Sequence, residues 1–273
     1  MGESRTKINL GVISFSSEDT KDMSYGPEKL IASTNLIPTF RIEESAPGVE
    51  GWMNVSRSFR ITRNVHIDRS MPTLMIVGDC TSSVIGMSAV QFYHGKEAHL
   101  IWIDAHADFN TPDSSKSGFL GGMPLNALVG GCFPEVLSYA EISPIPASYV
   151  TLFGCRDIDP LEELLLQKYE VVRTSDVNST LQRIKDVNRP VYLHFDTDVL
   201  SLDVNPAASY PSPGGLVLEE AFDLLQQILE TNRVVVVTVS AYSPAYDKNN
   251  IGLRNISAII QEIYERLSTH PMN

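Results

Sequence analysis

Hydrophobic residues fall along this chain in short unbroken blocks, separated by stretches where apolar positions recur every three or four residues. The blocks are Ile8–Phe15, Thr73–Val77, His99–Ile103, Tyr149–Phe153, Glu170–Arg173, Val191–Phe195 and Val234–Val239. Most lack the alternation of a half-exposed strand, which predicts strands buried on both faces of a parallel sheet. The periodic stretches Ser83–Tyr93, Leu161–Tyr169, Leu181–Val187, Leu218–Leu229 and Leu253–Leu267 predict amphipathic helices. Strands alternating with helices give a doubly wound α/β fold, and 273 residues without a linker or internal repeat give one domain, 1–273. Glu43–Asp68 follows neither pattern and reads as a surface excursion.

Open parallel sheets bind ligands at the carboxyl ends of their strands. Three predicted strand ends are chemically unusual: Gly78-Asp79-Cys80, Asp104-Ala105-His106-Ala107-Asp108 and Asp196-Thr197-Asp198. Residues two apart in an extended chain point to one side. Asp104, His106 and Asp108 would therefore converge with Asp196 and Asp198 if the two ends were neighbours. A single D-x-D is as readily a solvated strand end or a helix cap. Four buried carboxylates gathered without cations would repel and lose hydration, so the combination predicts bound metal. Two divalent ions match four aspartates by formal charge, and carboxylate oxygen with one imidazole suits manganese better than structural zinc.

Charge and cysteine usage narrow the function classes. With 33 acidic and 21 basic residues the formal charge is -12, which argues against nucleic acid as a partner. No apolar run reaches the ~18 residues of a membrane helix. Met1–Leu10 lacks a basic-then-apolar leader pattern. The expectation is a cytoplasmic protein with no membrane partner and a small-molecule substrate. Cys80, Cys132 and Cys155 are too few, and odd in number, for a disulfide framework; Cys132 and Cys155 read as buried thiols.

Asp104-Ala-His-Ala-Asp-Phe-Asn-Thr-Pro, its continuation Ser117-Gly-Phe-Leu-Gly-Gly-Met-Pro124, Phe195-Asp-Thr-Asp-Val-Leu and Gly154-Cys-Arg-Asp-Ile-Asp-Pro160 together resemble the ureohydrolase family of arginases and agmatinases. The resemblance runs from about Thr73 to the end. It implies a three-layer α/β/α sandwich on a mainly parallel eight-stranded sheet, and hydrolysis of guanidine C–N bonds at a two-manganese centre. It implies metal ligation by Cys80, Asp104, His106, Asp108, Asp196 and Asp198, with Asp104 and Asp196 bridging. Asn110 and Ser117 match residues that hold a substrate carboxylate, and Asp159 the acid that takes an α-amine. Homo-oligomers, trimeric or hexameric, are also implied.

Three positions depart from the family pattern. Cys80 stands where the family has histidine, as in the hydroxyarginine hydrolase branch, and a thiolate there would let zinc or iron compete with manganese. Gly121 replaces a proton-shuttling histidine, leaving Asp108 and His194 as the candidate catalytic residues. Ala241 replaces a glutamate that faces the guanidinium, which disfavours plain arginine. The leading expectation is a binuclear-metal hydrolase of a guanidino or amidino compound with an amino-acid end. The alternatives are a degenerate member that binds without turnover, and a metal deacetylase on a related sheet.

Overall fold

A computed structural model describes residues 8–14, 21–43, 68 and 70–269 of the chain. Its strands are β1 (Asn9–Ser14), β2 (Phe40–Glu43), β3 (Thr73–Val77), β4 (His99–Ile103), β5 (Val150–Phe153), β6 (Val172–Thr174), β7 (Val191–Asp196) and β8 (Val234–Ser240). The helices are α1 (Lys21–Thr34), α2 (Ser83–His94), α3 (Pro124–Leu128), α4 (Pro134–Ala140), α5 (Pro160–Lys168), α6 (Val177–Val187), α7 (Leu218–Leu229) and α8 (Ile251–Thr269).

The eight strands form one sheet in the order β2-β1-β3-β8-β7-β4-β5-β6. Every neighbouring pair is parallel. All carboxyl ends therefore lie along one edge, and β3, β8, β7 and β4 bring theirs side by side. One apolar layer packs α2, α3 and α4 on one face, through residues such as Val84, Leu125 and Val136. The other packs α1, α6, α7 and α8, through Leu30, Ile184, Leu224 and Ile260. This is the three-layer α/β/α sandwich expected above, with a wholly parallel sheet.

The apolar blocks mark the central strands closely because strands buried on both faces have few polar positions. The edges are less legible. The pattern misses β2, a four-residue edge strand. It also misses α1, which carries Gly26 and Pro27 in its interior and so reads as a turn. The predicted strand Glu170–Arg173 begins two residues late, at Val172, because Glu170 sits at φ 54° in the turn that ends α5. Helix α6 begins at Val177 rather than Leu181, since the Asp176 side chain accepts the Ser179 N–H at 2.9 Å and caps it. Apart from its end residues, the Glu43–Asp68 excursion lies outside the described residues.

Helix α2 needs Gly86 to approach the sheet. A Cβ there would lie 2.3 Å from the Tyr192 hydroxyl. That hydroxyl donates to the Ser83 carbonyl at 3.0 Å and lies 2.9 Å from Thr238 Oγ1. These contacts fix the start of α2, and with it the turn carrying Cys80, over β7 and β8.

Candidate metal centre

The turn after β3 delivers Cys80, the segment after β4 delivers Asp104, His106 and Asp108, and the end of β7 delivers Asp196 and Asp198. Backbone hydrogen bonds lock the acids in place. Asp104 Oδ1 accepts the His106 N–H at 2.7 Å, Asp196 Oδ1 the Asp198 N–H at 2.7 Å, and Asp198 Oδ1 the Ala105 N–H at 3.2 Å. The last of these crosses between strands and ties the β4 and β7 ends together. The Trp102 indole N–H donates to Asp104 Oδ2 at 2.9 Å.

Two groups of ligand atoms converge within 4.8 Å: Cys80, Asp104, His194 and Asp196, and separately Asp104, His106 and Asp198. Asp104 belongs to both, whereas Asp196, the other acid expected to bridge, belongs only to the first. Asp108 lies in neither group but lines the same cavity. It is held at φ 48°, a left-handed conformation that aspartate tolerates. Its Oδ2 is buried without a hydrogen-bond partner, and an orphaned carboxylate oxygen among other acids fits a cation ligand.

Protons balance this cluster. The Cys80 thiol donates to Asp196 Oδ2 at 2.7 Å. Burial, and then the charges of Asp196, Asp108 and Asp104, push that thiol well up. Burial, followed by the neighbouring Asp198 and Asp104, raises Asp196 well above the carboxylate range. Burial and the charge of Asp198 raise Asp104 as well. Burial alone would lower His106. Its hydrogen bonds to Asp104 and to Asp198, the latter at 2.9 Å, outweigh burial and push it up to about 12. Burial likewise acts to raise Asp198, and the His106 contact holds it low. Divalent cations would replace these protons, because ligation requires carboxylate, neutral imidazole and thiolate.

Asn110, Ser117 and Asp159 all line the cavity, as do Gly121 and Ala241. The Lys116 ammonium reaches Asp159 Oδ1 at 2.5 Å. His194 lies behind these residues, with a ring nitrogen in the first ligand group. Fully buried, it stacks on Trp102 with ring centroids 3.8 Å apart and does not line the cavity. Nδ1 lies 2.9 Å from Thr238 Oγ1 and Nε2 3.3 Å from Ser240 Oγ. Burial lowers it to about 3, so it is neutral at physiological pH. From that position it reaches the acids through Ser240, whose hydroxyl donates to Asp196 Oδ2 at 3.3 Å. The sequence suggested His194 as a proton donor; it does not line the cavity and meets Asp196 through Ser240.

Sequence reasoning missed Arg156, Glu162 and Ser240. The Arg156 guanidinium donates to the carbonyls of Pro213, Gly154, Val199, Asp198 and Ser212. It thereby clamps the segments after β5 and β7. Glu162 accepts the Phe109 N–H at 2.7 Å, fixing the turn beyond Asp108. Both lie in or beside the Gly154–Pro160 motif, which was their only sequence signal.

The cavity measures about 250 Å³, below the roughly 300–1,000 Å³ of drug-sized ligand pockets, and suits a molecule of amino-acid size. No helix among the described residues is long and apolar enough to cross a membrane. The sequence model of the arginase family matches residues 19–265. An arginase of Schizosaccharomyces pombe is 32% identical over 207 residues, covering 70% of this chain and 63% of its own length. The chain therefore spans just under two thirds of that relative. Among solved structures, the arginase of Entamoeba histolytica in complex with L-ornithine superposes with a TM-score of 0.83 at 18% identity, covering 95% of this chain and 98% of its own. The formimidoylglutamase of Bacillus subtilis gives 0.76 at 16% identity, covering 99% and 90%.

Proposed function

The chain belongs to the arginase family, and on that premise we propose that it is a metal-dependent hydrolase of non-peptide C–N bonds in a small guanidino or amidino compound. The observation that carries this reading is the pair of ligand groups sharing Asp104, with the orphaned Asp108 oxygen beside them. Cys80, Asp104, His106, Asp108, Asp196 and Asp198 would hold two divalent cations, manganese first, with zinc or iron admitted by the Cys80 sulfur. When bound, such a pair supplies Lewis-acid polarisation and acidifies water at neutral pH.

The protein's own contribution is order and charge. Backbone N–H groups hold Asp104, Asp196 and Asp198 in fixed orientations, so no reorganisation is needed as charge develops. The Trp102 indole and the Ser240 hydroxyl hold the remaining oxygens of Asp104 and Asp196. Gly121 and Ala241 place neither a proton donor nor an acid against the substrate. A leaving amine must then take its proton from water or from Asp108. A fully cationic guanidinium would also lack an in-plane carboxylate at Ala241. This favours a less basic hydroxyguanidine or amidine over plain arginine.

Asn110, Ser117 and Asp159 on the cavity wall support an amino-acid end on the substrate, whose ammonium would compete with Lys116 for Asp159. The same reading takes the protein as a cytoplasmic homo-oligomer; light scattering of purified protein checks the oligomeric state and cell fractionation the location. The decisive assay loads the protein with manganese, zinc or iron and follows urea, ammonia and formamide release from a panel of guanidino and amidino acids. Turnover of at least one member, lost on chelation, is expected. Tight metal binding with no turnover of any would leave a ligand-binding protein instead.

A further inference from the structure

The cavity holding the acids has a second wall of opposite character. Phe119 and Tyr210 line it, with ring centroids 4.8 Å apart and planes inclined by 24°. They come from loops far apart in sequence, and each loop is tied down. Ser117 Oγ accepts the Phe119 N–H at 3.2 Å, and Ser115 Oγ accepts the Gly118 N–H at 3.0 Å. Next to Tyr210, the Ser209 hydroxyl lies 2.5 Å from that of Ser243, just beyond β8.

Gly121 completes the arrangement. A Cβ there would fall 2.3 Å from Cε1 and Cζ of Phe119, so the ring fills the space a side chain at 121 would take. The Phe119 ring is thus held between Tyr210 and the Gly121 backbone. Ala241 adds apolar surface from the end of β8.

We propose that Tyr210, backed by the Phe119 ring, is a specificity-determining stacking wall, which holds the planar delocalised C–N group of the substrate against its outer face. This rests on the reading of the site as one for guanidines or amidines. Asp157 and Asp159, which are outside the proposed metal ligand set, line the same cavity as the rings, so a cation bound beside loaded metals still has carboxylates to face. A planar amidinium can offer its N–H edge to acids and its face to an aromatic ring at once. A tetrahedral ammonium has no such face. Ring stacking thereby supplies at this wall what an in-plane carboxylate would otherwise supply.

The test is calorimetry on manganese-loaded protein, with methylguanidinium and acetamidinium as planar probes and methylammonium as the non-planar control. Tyr210→Leu keeps apolar bulk and removes the stacking face; Phe119→Leu removes the ring that backs it. Tyr210→Leu is expected to weaken the planar probes by roughly 3- to 30-fold, the range of a half-exposed to desolvated cation–π contact, and Phe119→Leu, which removes only the backing ring, by less, while methylammonium shifts by less than about 2-fold. Tyr210→Phe is expected to restore what Tyr210→Leu loses. Far-UV circular dichroism and Tm accompany each variant. Tyr210 is 42% exposed, so its variants carry the test even if Phe119→Leu does not fold.

Equal weakening of all probes, no weakening, or a wild type that does not prefer planar cations would each overturn the proposal. The functional reading fails separately. Absence of turnover with ring-dependent planar binding removes that reading and leaves the wall. Turnover of an amidine with KM unmoved by both leucine variants removes the wall alone.

Discussion

Replacing Asp108 with asparagine has opposite consequences with and without metal, which makes it the sharpest test of the ligand set. Asp108 is 5% exposed and its Oδ2 has no hydrogen-bond partner. Burial, then the charges of Asp104 and Asp196, raise its carboxyl well above the usual range. In chelator-treated protein, Asp108→Asn removes a group that burial and the charges of Asp104 and Asp196 penalise when ionised. Removing one such buried like-charge conflict is worth about 1–3 kcal/mol. Unfolding entropy of ~2.1 cal/mol/K per residue converts each kcal/mol to about 2 °C for 273 residues, so Tm should rise by about 2–5 °C. A raised folded value means that this carboxyl stabilises the fold only at low pH. Its contribution is full below the ordinary carboxylate pKa and is lost as pH climbs through the raised value. The variant's advantage should therefore grow from pH 4 upward. With metal at about 100 times its Kd, wild type gains about 2.7 kcal/mol, or about 5 °C, and Asp108→Asn should gain little. Differential scanning fluorimetry across pH, with chelator and with manganese, reads both signs. A variant that is less stable without metal and shows the full manganese-induced rise would remove Asp108 from the ligand set.

Further outcomes follow from the same geometry. Cys80→Ser should weaken zinc binding more than manganese binding, measured by competition with a chromophoric chelator, because only the soft sulfur ligand is lost; equal weakening would make Cys80 a bystander. Arg156→Ala removes a guanidinium that donates to five carbonyls, and should cost about 2–3 kcal/mol in urea unfolding and open residues 201–217 to limited proteolysis. His99, fully buried with Nε2 2.8 Å from Thr151 Oγ1, is lowered to about 4 by burial and then by Arg183. Its depressed value means that stability present above about pH 6.5 is lost as pH falls toward 4, by about 3 kcal/mol. His99→Gln should flatten that part of the stability–pH curve, and an unchanged slope would refute the assignment.

The central strands, and the residues that gather at their ends, are legible in the residue pattern for local reasons. Strands buried on both faces must be continuously apolar, so β3, β4, β7 and β8 show in the residue pattern. The spacings of Asp104, His106 and Asp108, and of Asp196 and Asp198, mark the site, but the period of two does not place them: Asp108 turns at φ 48° and Asp198 lies in a 3-10 turn, so the turns after β4 and β7 bring them together. Cys80 was legible only through its motif, because its approach to Asp196 depends on β8 lying between β3 and β7. The elements that escaped depend on packing. Helix α1 contains Gly26 and Pro27, and its docking against the rest of the fold overrides poor local propensity. Arg156 donates to carbonyls that no residue pattern marks as its partners. His194 shares a strand face with Asp196 but sits one layer deeper, over Trp102, and only the register of β7 against β4 reveals that its ring stays out of the cavity. Phe119 and Tyr210 are 91 positions apart; their contact exists because two loops fold over one sheet edge, and Gly121 makes room for it.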